Sequence, residues 1–110
     1  QYSVMAGGQN NGVSGDYSAI VGGHLNGVSG NHSGVFAGGG NSIIMNAKYS
    51  VMAGGQNNGV SGDFSAIVGG SENGVSANFS AIVGGQASGV AGNHSAIVGG
   101  NLNGVSGDYL

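Results

Sequence analysis

The apolar pattern of this chain is short and strictly repeated. A serine is followed by three apolar residues and two glycines. This hexamer reads Ser-Ala-Ile-Val-Gly-Gly at Ser18–Gly23, Ser65–Gly70, Ser80–Gly85 and Ser95–Gly100, and Ser-Val-Met-Ala-Gly-Gly at Ser3–Gly8 and Ser50–Gly55. A smaller apolar point, Gly-Val-Ser as at Gly27–Ser29, follows five of the six hexamers, and Gly-Val-Ala follows the sixth at Gly89–Ala91. The opening serine falls at positions 3, 18, 33, 50, 65, 80 and 95, so five of the six spacings are 15 and one, Ser33 to Ser50, is 17. A fixed period of this kind marks a stacked-repeat architecture, in which each unit buries its apolar face against the next. Residues 2–23 return almost unchanged at 49–70, so a 47-residue module repeats as well, and the segment reads as a piece of a longer fibrous protein.

Each unit predicts two strands and two tight corners. Ser-Ala-Ile-Val is rich in residues that favour strands. Gly-Gly-x-x-Asn and Gly-Asp/Asn carry the residues that accept a positive φ. A lone Asn-Gly signals a hairpin. Asn-Gly at 11–12, 26–27, 58–59, 73–74 and 103–104 signals instead one corner repeated in successive coils of a solenoid. Helix is disfavoured, because glycine recurs about every four residues and is costly in a helix. Coiling stacks like on like at about 4.8 Å. The expected columns are an aromatic ladder (Tyr2, Tyr17, His32, Tyr49, Phe64, Phe79, His94, Tyr109), a serine ladder from Ser3 to Ser95, an apolar column of Met5, Ile20, Phe36, Met52, Ile67, Ile82 and Ile97, and a valine column of Val13, Val28, Val60, Val75, Val90 and Val105. The whole of residues 1–110 is then one all-β domain of about seven coils.

The hexamer raises a packing problem. Side chains alternate across a strand, so Ser18 and Ile20 point one way and Ala19 and Val21 the other. A strand that is apolar on both sides is normally buried on both sides. A coil of two strands has only one interior. The second apolar side, with Val21, Val68, Val83 and Val98, needs a partner, and the Ile column and these valines are the candidates for roll core and subunit junction. The expectation is an obligate homo-oligomer with cyclic symmetry.

Composition narrows the function. Of 110 residues 27 are Gly, 5% are charged, and Lys48 is the only basic side chain against four acidic ones. Nucleic-acid binding and attraction to anionic membranes both need clustered cations, so neither is expected. No apolar run reaches the ~20 residues of a membrane span. With no Cys, disulfides and thiolate metal sites are out of the question. Gly-Gly corners lack the Gly-Lys-Ser/Thr of a phosphate loop. Calcium rolls use a nine-residue acidic repeat, unlike this one. The serines all have ladder equivalents, and Asp16, Asp63 and Asp108 exchange with Asn31, Asn78 and Asn93 at one corner, which marks them as turn formers. His32 and His94 read as rings of the aromatic stack, and His24 as an exposed corner residue. No catalysis, cofactor or metal is expected.

The unit "YSAIVGGHLNGVSGNHS" resembles the head repeats of trimeric autotransporter adhesins, the YadA-like head, across nearly the whole chain. It differs from the commonest form in Val-Gly-Gly after the isoleucine and in Asn-Gly-Val in the second strand. The resemblance implies left-handed parallel β-rolls packed side by side as a homotrimer, with the SAIVGG and SVMAGG strands lining its axis. It implies projection from a bacterial outer membrane and attachment to host cells or to extracellular matrix such as collagen. A phage or virus tail-fibre segment, serving as shaft or receptor-binding module, is the alternative. Residues 33–49, "SGVFAGGGNSIIMNAKY", break the phase. One extra residue is expected near Gly34 and another between Gly38 and Ser50. The segment reads either as a bulge whose apolar residues plug the core or as a protruding ligand-contact loop of Asn41, Ser42, Ile43, Ile44, Met45 and Lys48.

Overall fold

The computed structural model describes residues 2–110. Among these residues there is no helix, and fourteen strands alternate between two parallel sheets. The first strand of each coil is Val4–Met5 (β1), Ala19–Ile20 (β3), Gly34–Val35 (β5), Val51–Gln56 (β7), Ala66–Ser71 (β9), Ala81–Ile82 (β11) or Ala96–Ile97 (β13). The second is Gly12–Val13 (β2), Gly27–Val28 (β4), Ser42–Ile43 (β6), Gly59–Val60 (β8), Gly74–Val75 (β10), Gly89–Val90 (β12) or Gly104–Val105 (β14). Every strand pairs with its equivalents in the adjoining coils, on both sides except at the two ends: Ala19 stands against Val4 and Gly34, and Gly27 against Gly12 and Ser42. The result is a β-solenoid of seven coils measuring 36 × 23 × 13 Å. Its thickness is little more than the ~10 Å between two packed sheets.

The interior is one layer of side chains from each sheet. Ile20, Val35, Met52, Ile67, Ile82 and Ile97 point in from the first sheet and meet Val28, Ile43, Val60, Val75 and Val90 from the second. Val13 and Val105 close the two ends half-buried, and Met5 in the outermost coil stays exposed. One residue of the expected apolar column is replaced. Val35, not Phe36, pairs with Ile20 and Met52 and is buried, while Phe36 lies on the outside at 54% exposure. Gly38-Gly39-Gly40 fits the repeat in two alignments, and burial decides for the one that keeps a 15-residue offset from Ile20 to Val35. Nothing is inserted near Gly34. Ile43 still pairs with Val28, and Lys48 occupies the corner place of Asp63, so both extra residues are Met45 and Asn46, after β6.

The corners are held by buried polar side chains that reach across to the next coil. Asn26 Nδ2 donates to the Gly38 carbonyl at 3.0 Å, and its Oδ1 accepts the Asn41 N–H at 3.0 Å. Asn41, Asn58 and Asn73 repeat both bonds. At the other corner Ser18 Oγ donates to the Gly30 carbonyl at 2.8 Å and accepts the Ser33 N–H at 3.1 Å. Ser33, Ser50, Ser65 and Ser80 do the same. The corner asparagine therefore has a different task from the one expected. It does not adopt the left-handed backbone; that falls on the residue before it, such as Leu25 at φ 57° and Glu72 at φ 58°. The asparagine instead accepts the corner N–H of the next coil and adds a second donor to a carbonyl that already accepts a backbone N–H, as Gly38 does from His24.

The two glycines of each pair are needed for different reasons. Gly69 and Gly70 both have a positive φ, 82° and 85°. A Cβ on Gly69 would enter open space, whereas one on Gly70 would overlap the Gly85 carbonyl oxygen and the Asn73 amide. Gly69→Ala is expected to cost about 1 kcal/mol, the strain of a left-handed alanine. Gly70→Ala must also push two coils apart and is expected to cost at least ~3 kcal/mol, in the range of a broken buried network. Thermal or urea unfolding of the two variants distinguishes them; equal losses would show that close stacking at Gly70 is not limiting.

Candidate functional site

The strand alternation that buries the Ile column turns two other residues of each first strand outward. In chain order these outward pairs are Val4 and Ala6, Ala19 and Val21, Gly34 and Phe36, Val51 and Ala53, Ala66 and Val68, Ala81 and Val83, and Ala96 and Val98. No polar side chain interrupts the face. Val21, Val68 and Val83 are 46%, 47% and 44% exposed, although they are the residues a soluble sheet would be expected to cover or replace. The pairs also compensate in size. Valine at the first place goes with alanine at the second, alanine with valine, and glycine with phenylalanine. The apolar volume per coil stays nearly level along the stack. A free surface has no reason to hold that balance, whereas a packed one does, since buried layers tolerate volume-conserving exchanges best.

The expected core and junction residues therefore separate into two groups. Ile20, Met52, Ile67, Ile82 and Ile97 belong to the interior of the single chain; Val21, Phe36, Val68, Val83 and Val98 belong to its outer apolar face. The alanine and glycine partners of these valines escape a search for large apolar residues. Their signal is the inverse size relation within each hexamer.

The outer side of the second sheet has the opposite character. Its outward places are Gly12 and Ser14, Gly27 and Ser29, Ser42 and Ile44, Gly59 and Ser61, Gly74 and Ser76, Gly89 and Ala91, and Gly104 and Ser106. The irregular coil changes this smooth surface. Of the residues expected in a contact loop, Asn41 and Ile43 are buried, at 1% each, and serve the asparagine ladder and the core. Ser42, Ile44, Met45 and Lys48 are exposed. The inserted Met45-Asn46 step stands beside the serine face and forms a cleft of about 930 Å³ with Ser14, Ser29, Asn31, Ser42, Ile44 and Lys48. Ser14, Ser29, Asn31 and Asn46 were not legible as site residues, because the first three are ordinary ladder members.

The corner between the sheets carries the aromatic ladder. From Tyr17 to Tyr109 successive rings stack with centroids 4.7–5.1 Å apart and interplanar angles of 11° or less. Tyr2 tilts at the end, 36° from Tyr17. The seven ring-bearing residues from Tyr17 to Tyr109 all have a left-handed backbone, with φ between 54° and 63°. For a bulky residue that conformation costs ~1–2 kcal/mol, and each ring contact returns ~0.5–1.5 kcal/mol beyond burial. Two contacts per ring thus offset the strain. Neighbouring Asp and Asn side chains lock the corner: Asp63 Oδ1 accepts the Lys48 N–H at 2.7 Å, and Asp108 Oδ1 accepts the Asn93 N–H at 2.7 Å. Among the described residues no three His, Asp or Glu side chains come together as a metal site.

This balance reverses the usual order of substitutions. Phe64→Ala keeps the strained backbone and loses both stacks, so it is expected to cost about 2 kcal/mol. Phe64→Gly loses the stacks but relieves the strain, so it is expected to cost about 1 kcal/mol less than Phe64→Ala. Chemical denaturation of both variants checks the order; glycine being the worse would mean that the rings do not offset a strained corner. Compared with known proteins, the chain matches no family model, and no curated protein matches it.

Proposed function

We propose that this chain is a structural and adhesive module of a trimeric fibre on a bacterial surface. Copies pack side by side through the apolar outer face of the first sheet. The glycine-serine face, the aromatic corner and the irregular coil then look outward to host cells or extracellular matrix. The single observation that carries the reading is the fourteen-place outer face without one polar side chain, level in volume from coil to coil. A face of that kind beside a core only one side chain deep gains burial from a second copy, and in-register copies meet with matched volumes. The likeness of "YSAIVGGHLNGVSGNHS" to YadA-like head repeats supports the threefold number, the surface location and the adhesive role. A matrix protein such as collagen is the proposed ligand class for the fibre as a whole.

Light scattering on the purified chain at micromolar concentration is expected to give the mass of three chains. Val68→Asp places a carboxylate on the outer face but leaves the interior intact. It is expected to yield folded monomers, whereas Ile67→Asp is expected to abolish folding, since an unpaired charge in the core costs several kcal/mol. A folded wild-type monomer would contradict the reading. Solid-phase binding to collagen, fibronectin and laminin tests the adhesive part, and a trimer that binds none of them would leave a spacer role.

A further inference from the structure

We propose that the cleft beside the Met45-Asn46 step binds an acidic saccharide, with a single sugar carboxylate placed at Lys48. The cleft stands where the repeat is broken, and it holds the only cation of a chain whose net charge is −3. Its volume of about 930 Å³ lies within the ~300–1,000 Å³ of small-molecule sites.

The lining has the chemistry of sugar recognition. Ser14, Ser29 and Ser42 present hydroxyls along one floor, and Ser14 Oγ lies 3.1 Å from Ser29 Oγ. Each hydroxyl both donates and accepts, as does the Asn31 carboxamide. A saccharide is a dense set of groups with the same double capacity. Ile44 and Met45 form an apolar wall against which the C–H face of a sugar ring can lie. Lys48 is exposed at the rim and supplies one charge-assisted hydrogen bond to a carboxylate.

The same features argue against other anionic partners. A sulfated polyanion needs a row of cations, and the chain has one. A peptide added as a strand needs a free sheet edge, but β2, β4 and β6 are paired side by side beneath the cleft. The cleft also lies on the face opposite the apolar sheet, so covering that sheet with other copies leaves it open. The proposal rests on the adhesive part of the reading above, but the cleft is complete within one chain. Oligomeric mass and sugar binding are therefore separate measurements on the same sample, and one can fail without the other.

The test is a nuclear magnetic resonance titration of the intact chain with 3′-sialyllactose and, in parallel, with neutral lactose. Sialyllactose is expected to shift the amides of Ser14, Ser29, Asn31, Ser42 and Lys48, and lactose at the same concentration to leave them in place. Lys48→Gln is expected to weaken binding about tenfold, the value of one charge-assisted bond at a solvated site. Deleting Met45 and Asn46 restores the 15-residue period, so the fold is expected to survive while the shifts vanish. Equal responses to lactose, an unchanged affinity in Lys48→Gln, or a response only to an acidic peptide would overturn the proposal.

Discussion

Each coil of this protein completes its hydrogen bonds only with the coil beside it. The second-sheet strands are two residues long, but backbone bonds run from coil to coil at strands and corners alike, as from the Gly27 N–H to the Asn41 carbonyl and from the His32 N–H to the Asp16 carbonyl. At the corners these bonds are joined by a set of buried asparagine and serine side chains that bond forward and back to the same positions one period away. That constraint explains the strict spacing. If one coil slips, Asn58 loses the Gly70 carbonyl and Ser50 loses the Gly62 carbonyl at once. Buried polar groups left unpaired cost ~1–3 kcal/mol each, so the period is enforced twice per turn. It also explains why an insertion is tolerated at Met45-Asn46. The two residues bulge outward between bonded positions, and the pairing resumes at Lys48 without loss of phase.

Much of this architecture was legible in the repeat. The period of 15, the two strands per unit, the Ile and Val columns and the aromatic ladder all follow from like residues stacking on like. Three features were not. Phe36 looked like the column member of its coil, because three successive glycines hide where the corner begins; only the depth of Val35 in the core resolves it. Asn-Gly looked like a tight corner whose asparagine tolerates a left-handed backbone, whereas the buried Asn26 serves as a two-way hydrogen-bonding group. The strained residue of the other corner is the aromatic one, as at Tyr17 with φ 56°. Propensity alone does not foresee this, since the compensating force is a stack between coils rather than anything local.

The two broad faces divide the labour of the molecule. The first sheet turns an unbroken apolar surface outward, nearly level in volume from coil to coil, and this is the face proposed to join copies. The second sheet turns out glycine and serine, a surface without apolar depth except at Ile44 and Met45. The surfaces proposed for assembly and for recognition thus lie on opposite sides of a slab 13 Å thick. In such a slab, residues that serve the interior and residues that serve the surface must alternate within a single hexamer. Ser-Ala-Ile-Val does this in four positions: hydroxyl ladder inward, apolar face outward, core inward, apolar face outward.

The claim that the apolar sheet joins copies is tested most directly by where spin labels meet. The chain has no cysteine, so one label can be placed at Val68→Cys on the first sheet, or at Ser76→Cys on the second. Electron paramagnetic resonance is expected to show strong dipolar coupling between copies for the label at 68 and much weaker coupling for the label at 76. Coupling absent at 68, or stronger at 76 than at 68, would contradict the account.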